Sequence, residues 1–195
     1  MKNPIRLIVC MAALLFVARP ASAELLHGQY HFPGKFMVGA RPLGAQVWMV
    51  SGGGNFGTYK FAIDFSGKLL DLPKLTLWLG GEFNLGGRDS LAQIEPGIFA
   101  MLTLEKLLNI PLVPLVMAGL VFPINVFYSG TNDFTLGGFG VKIGGGAYYF
   151  LTKNIGLGGE IHFAFAGAFG GVAGSAIGSG WLGYFDFVSG MRAAF

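Results

Sequence analysis

Tyr59-Lys60-Phe61-Ala62-Ile63-Asp64-Phe65-Ser66 alternates without a break. In an extended chain Tyr59, Phe61, Ile63 and Phe65 share one side, and Lys60, Ala62, Asp64 and Ser66 the other. Period two marks a strand with two unlike faces. The pattern returns between Ile155 and Phe165, where Ile155, Leu157, Ile161, Phe163 and Phe165 oppose Glu160 and His162. It returns again near the C-terminus, where Trp181, Phe185, Phe187, Met191 and Phe195 oppose Tyr184, Asp186 and Arg192. Each time one face is bulky and apolar and the other is small or charged. A soluble sandwich alternates too, but only 12% of this chain is charged, against ~25% in ordinary soluble domains. The pattern therefore predicts an all-β transmembrane barrel, antiparallel and up-and-down, with its apolar faces turned to lipid.

Composition agrees. The chain has 195 residues, 53% of them hydrophobic, with mean hydropathy +0.60. Its 33 glycines follow no G-X-Y period, which excludes collagen. Aromatics at 14% exclude a disordered tail. No repeat or linker divides the chain, so one domain is expected.

The 13 Lys and Arg exceed the 10 Asp and Glu by three, and three bases are Lys2, Arg6 and Arg19. From Glu24 onward the charges balance. No basic patch is left for nucleic acid. The first 23 residues, MKNPIRLIVCMAALLFVARPASA, have the build of a secretory signal peptide. Lys2 and Arg6 form the positive start, Leu7 to Ala18 the apolar run, and Ala21 and Ala23 the small residues at the cleavage site. The run is too short for a membrane helix, which needs ~20 residues. Cys10 lies inside it, behind the bulky Val9, which disfavours lipidation. After cleavage no cysteine is left, so disulfides and thiol chemistry are not expected. Residues 24–34 form a periplasmic lead-in, and 35–195 the barrel.

A helical membrane protein is the alternative. Its best span, Leu107 to Phe127, is interrupted by Pro111, Pro114 and Pro123. The other uncharged stretch, Ile161 to Phe185, is crowded with glycine. Eight strands fit better, at about 35–48, 57–66, 73–85, 91–104, 111–123, 135–151, 155–168 and 181–195. Pro42 in the first predicts a bulge. Connections after strands two, four and six are short. Those after one, three, five and seven are mostly longer and Gly-rich, as for outer loops. Ser51–Gly57 and Gly167–Gly180 are the clearest of these. Trp48, Trp181 and the pair Tyr148-Tyr149 are expected at the aromatic girdles, and Trp78 inside.

The inward set holds the candidate functional residues. They are the bases Arg41, Lys60, Lys142 and Arg192, the acids Asp64, Glu82, Glu95, Glu160 and Asp186, and His162. An eight-stranded barrel is filled by its own side chains, so these charges are expected to pair as a plug. A narrow channel for small or apolar solutes is the second reading, because Gly138, Gly140, Gly144 and Gly146 flank Lys142 with small residues. A lipid-modifying enzyme is the third. His162 has Glu160 two residues away and Asp186 on the neighbouring strand, but Ser189, the nearest strand serine, has the opposite parity. His27 and His31 in the lead-in lack partners for a metal. No cofactor, metal or catalytic set is assigned.

Phe195 ends the chain as an aromatic, with Gly190 five residues earlier and apolar residues at alternate positions behind it. This resembles the C-terminal assembly signal of Gram-negative outer-membrane barrels, although Ala193 stands where a bulky residue is usual and Val188 where a polar one is. With the signal peptide and the Tyr148–Asn154 strand and turn, the chain resembles small eight-stranded barrels: the opacity, X-type and W-type outer-membrane proteins and the transmembrane domain of the A-type. The resemblance implies a porin-like fold in the bacterial outer membrane. It also implies outer-membrane lipids as surroundings, and the barrel assembly machinery and periplasmic chaperones as partners. Nothing corresponds to the peptidoglycan-binding domain of the A-type, so cell-wall anchoring is not expected. His162-Phe163-Ala164 does not match the His and Ser of lipid A deacylase barrels.

Overall fold

A computed structural model of the protein describes residues 34–50, 55–108, 110–128, 133–172 and 175–195. The signal peptide with Ala21 and Ala23, Cys10, His27, His31 and most of the lead-in lie outside the described residues.

Nine strands follow one another: β1 Phe36–Val50, β2 Asn55–Asp71, β3 Thr76–Arg88, β4 Leu91–Thr103, β5 Leu112–Val121, β6 Ile124–Phe127, β7 Phe134–Phe150, β8 Ile155–Val172 and β9 Ser175–Ala194. All pairings are antiparallel, and β1 pairs with β2 on one side and β9 on the other, so the sheet closes. β5 and β6 both lie between β4 and β7. They form one stave, interrupted at Phe122-Pro123, so the nine segments make an eight-strand barrel. Proline has no N–H to give the ladder, while Phe122 N–H still reaches the Pro96 carbonyl at 3.0 Å. The predicted fifth strand, ended at residue 123, thus continues to Phe127. The helical alternative over 107–127 becomes a turn and these two strands.

Register fixes the tilt. Cross-strand partners lead from Met37 through Ser66, Gly80, Phe99, Gly119, Lys142, Ala164 and Tyr184, and return to β1 at Trp48. That stagger is what tilts barrel strands by about 35–45°. The register shifts between Ala40 and Leu43 against β9, and between Arg41 and Ala45 against β2. Pro42 lies in the shift, as a bulge requires.

The bulge has a consequence that alternation alone misses. Arg41 faces inward before it, and Gln46 and Trp48 face inward after it. Inward parity changes from odd to even. Trp48, expected at a girdle, is therefore interior and 1% exposed. Tyr148 is also interior, on the parity of Lys142, while Tyr149 faces out. Trp181 does lie outside, stacked on Phe165 at 5.8 Å. Trp78 is buried inside, as expected.

The outer surface carries the apolar faces. Phe65, Leu79, Ile98, Val116, Val141, Ile143, Ile161, Phe185 and Phe187 are all exposed there. Leaving such a belt in water is unfavourable at roughly 25 cal/mol per Å²; a bilayer removes that cost. Strands of 15 to 20 residues such as β1, β8 and β9 exceed the 9–11 needed to cross a bilayer. The extra length accounts for a second correction. Much of Gly167–Gly180 is not a loop but paired strand on both arms of β8 and β9. After β3 the connection is the tight turn Asp89-Ser90, shorter than the five residues, 86–90, left between the predicted strands three and four.

Candidate functional site

The interior is stacked in three levels. At the end holding both barrel termini, Met37, Trp78, Phe99, Met101, Leu115 and Phe150 form an apolar floor with their neighbours. Trp78 is 0% exposed, and its indole N–H donates to Thr103 Oγ1 at 2.9 Å. Trp48, Val121, Leu182 and Tyr184 form a second apolar cluster toward the other end, with Ala164 and Ala168. Charge lies between these levels.

All ten inward residues singled out from the sequence are buried: Arg41, Lys60, Asp64, Glu82, Glu95, Lys142, Glu160, His162, Asp186 and Arg192. They fall into two joined groups. In the first, Arg41 pairs with Asp64 at 2.6 Å and with Glu160 at 2.5 Å. Arg192 pairs with the same two acids, at 2.8 and 2.7 Å. Two guanidiniums and two carboxylates thus alternate, and planar donor forks suit this geometry. Tyr148 donates to Glu160 at 2.7 Å, and Arg192 lies over the Tyr148 ring. In the second group Lys60 reaches Asp186 at 2.5 Å and Glu95 at 3.1 Å. Lys142 reaches Glu82 at 2.5 Å and Glu95 at 3.6 Å. His162 joins the groups, with Nε2 2.9 Å from Glu160 and Nδ1 3.6 Å from Asp186.

Neutral side chains complete the network. Asn84 and Gln93 donate to Glu95 at 3.0 and 3.2 Å, and Tyr184 donates to the same carboxylate. Gln46 donates to Asp186 at 3.3 Å. Sequence reasoning gave these four residues no role in the network. Their parity would have identified Asn84, Gln93 and Tyr184, which share faces with Glu82, Glu95 and Asp186. Gln46 follows the bulge, where parity read from Arg41 fails. Glu105 was missed for a different reason: it lies in a turn, yet is 1% exposed and accepts a hydrogen bond from Thr76.

The glycines of β7 do not leave a passage. A Cβ on Gly144 would collide with the His162 ring, and one on Gly146 with the backbone and side chain of Glu160. The space beside Gly138 and Gly140 is taken by Pro123 and Ala166. Glycine here lets Pro123 and the β8 residues Glu160, His162 and Ala166 lie against the β7 backbone. Combined with the floor, this does not favour the channel.

The hydrolase arrangement is not assembled. Ser189 lies on the outer face, its hydroxyl 3.4 Å from the Leu43 carbonyl. His162, 2% exposed, lies between the two carboxylates and below the upper apolar cluster. Among the described residues no cluster of His, Cys, Asp and Glu has the makings of a metal site. Gly190 belongs to the barrel seam, where a Cβ would strike the β1 backbone at Ala40 and Arg41. Phe195 is bonded both ways to Phe36, at 3.1 and 2.9 Å, with its ring exposed.

No protein-family model matches the chain, and no curated protein does so by sequence. Solved structures do. Neisserial surface protein A superposes with a TM-score of 0.62 at 15% identity, covering 83% of this chain and 97% of that one. The outer-membrane protein OprG from Pseudomonas aeruginosa gives 0.54 at 13% identity, over 86% and 99%. Ail, the attachment invasion locus protein of Yersinia pestis, gives 0.52 at 10% identity, over 80% and 95%. At these identities the likeness is one of fold. By its closure, its apolar exterior and its charged interior, the chain has the fold of a small eight-stranded outer-membrane β-barrel.

Proposed function

We propose that the protein is an integral barrel of the bacterial outer membrane with a structural or surface role, a sealed interior and no catalytic activity. The observation that carries this is the filling of the barrel. Nine buried charges are each held by an opposite charge, above an apolar floor that contains Trp78, Phe99 and Phe150. A solute path would have to break both. A buried ion pair gains little net stability over apolar packing, but breaking one is costly. Such a network suits a rigid plug better than a yielding gate. The barrel termini and the turn at 151–154 mark the periplasmic end, and Gly190 and Phe195 serve as the signal for the assembly machinery.

Two measurements test this together. Purified from outer-membrane fractions, the protein should run differently on a gel before and after boiling in detergent. Reconstituted in planar bilayers, the same folded protein should give no steady conductance steps. Reproducible steps from protein that still shows the gel shift would overturn the sealed interior and restore the channel. Altered lipid A or phospholipid profiles on overexpression would overturn the non-catalytic reading.

A further inference from the structure

The apolar outer wall is not of one height. On β3 the lipid-facing series Leu77, Leu79, Gly81, Phe83, Leu85 ends at Gly87, and Arg88, Asp89 and Ser90 beyond it are exposed. On β8, which lies opposite β3 in the ring of strands, the lipid-facing series from Ile155 to Phe169 holds no charged and no polar side chain. Strands tilted by about 35–45° advance about 2.5 Å a residue along the barrel axis, so the β3 series covers about 20 Å and the β8 series about 35 Å.

The extra height lies at the outer end. Cross-strand partners lead from Arg88 through Leu91, Phe127 and Phe134 to Val172. Each crossing in this direction rises by just over one residue, since the full circuit from Met37 to Trp48 gains about ten residues over the eight-strand ring. Val172 therefore stands about five residues farther out than Arg88, and Phe169 about two, or about 5 Å. A charged turn and a phenylalanine thus share nearly one level on opposite sides of the barrel. Phe169 is 63% exposed, and its ring edge lies against the β7 backbone at Gly137. Beside it Phe139 packs on Phe122 at 5.2 Å and Phe165 on Trp181 at 5.8 Å, with all four rings exposed. On the outward faces of β7 and β8 no charge separates these rings from Val141, Ile143 and Ile161 below them.

We infer that the outer arm of β8, as far as Phe169, is immersed in acyl chains of the outer leaflet. The lipid boundary then crosses the barrel obliquely, from below Asp89 on the β3–β4 side to beyond Phe169 on the β8 side. Continuity argues for acyl chains as the occupant, because the face that meets lipid at Ile161 runs on unbroken to Phe169. Asp89 fixes the other side, since a charge is costly in hydrocarbon. A wall taller than the apolar band of about 25 Å is accommodated by tilt, so the barrel leans in the membrane. The inference rests on the membrane-barrel reading above.

The test is collision EPR of the protein in vesicles of phosphatidylethanolamine and phosphatidylglycerol. With Cys10 replaced by Ser, single nitroxides are attached to Ser90→Cys, Ile161→Cys and Phe169→Cys. Each variant is first checked for the gel shift that reports a folded barrel. Oxygen concentrates among acyl chains and a neutral nickel chelate in water, so the ratio of their collision rates reports depth. The ratio at 169 should match that at 161 and exceed that at 90 by about tenfold or more, because the hydrocarbon core holds no water. Gly167→Cys, whose Cβ meets its first neighbour at 3.9 Å, is a second site on the same arm should Phe169→Cys not fold. A ratio at 169 equal to that at 90 would overturn the inference. So would slow collision with both reagents, which marks a protein contact instead of lipid. A water-like ratio at 161 would instead overturn the barrel reading beneath it.

Discussion

Glu160 is the residue on which the interior depends most. One carboxylate oxygen accepts from Arg192 Nη2 at 2.7 Å, Arg192 Nε at 3.0 Å and the Tyr148 hydroxyl at 2.7 Å. The other accepts from Arg41 Nη1 at 2.5 Å and lies 2.9 Å from His162 Nε2. Glu160→Gln keeps the shape but removes the charge, and aims an amide donor at groups that are themselves donors. Two buried guanidiniums are then left to share Asp64. Removing one partner of a buried pair costs about 3–5 kcal/mol, or about two to four decades in the unfolding constant. Reversible urea unfolding in lipid vesicles, followed by the gel shift and tryptophan emission, measures it. Replacing the pair by apolar residues, Glu160→Leu with Arg192→Met, should cost less than Glu160→Gln alone, because the opposed charge goes too. A Glu160→Gln variant within about 1 kcal/mol of wild type would refute the reasoning, since Glu160 could not then be a dry, paired charge.

Three further outcomes follow from the geometry. Ile161→Arg puts a charge on the lipid face of β8 and should cost about 2–4 kcal/mol, whereas Leu69→Arg near the rim should cost about 0–1 kcal/mol; vesicle unfolding of both variants checks the depth assignment. Gly144→Val drives a side chain into the His162 ring and should destabilise by about 1–3 kcal/mol, while Gly167→Val, whose Cβ meets its first neighbour at 3.9 Å, should change stability by less than about 0.5 kcal/mol. At the rim that holds the barrel termini the hydrogen bond from Lys106 holds the Asp71 carboxyl below its ordinary range, with Lys68 adding charge nearby. Its folded pKa is the lower one, so its contribution is present above the unfolded value near 3.8 and fades as pH falls through the folded value. Asp71 is half exposed, so the contribution is below about 1 kcal/mol, and Asp71→Asn should flatten the acid limb of an unfolding titration by that small amount.

The fold was legible where burial on one face and lipid on the other enforce period two. Lys60, Asp64, Glu160 and Asp186 each sit opposite bulky apolar neighbours, so β2, β8 and β9 declare both their faces and their place in a barrel. Legibility failed where the period changes without a change in composition. The bulge at Pro42 adds a residue to β1, which turned Trp48 inward and hid Gln46. At Pro123 a missing donor splits one stave in two, and the sequence shows only a proline. Glycine-rich stretches were ambiguous for another reason. Without side chains they carry no alternation, so the arms of β8 and β9 beyond Phe169 look like loop although they pair. Of the network, the charges were visible, and parity alone puts Asn84, Gln93 and Tyr184 on the same inward faces. Which carboxylate each of them reaches is set by cross-strand register, which the sequence does not show.

The most direct test of the account is a lipid-quenching scan along β8. Cys10 is the one cysteine of the chain, so with Cys10 replaced by Ser single cysteines can carry a fluorophore without a competing thiol. Brominated acyl chains should quench labels at positions 161, 163 and 165 strongly, and labels at the small inward positions 164, 166 and 168 weakly. Strict alternation along β8 is the predicted result. Equal quenching at neighbouring positions, or a rise and fall every three to four residues, would contradict the barrel and every inward assignment built on it.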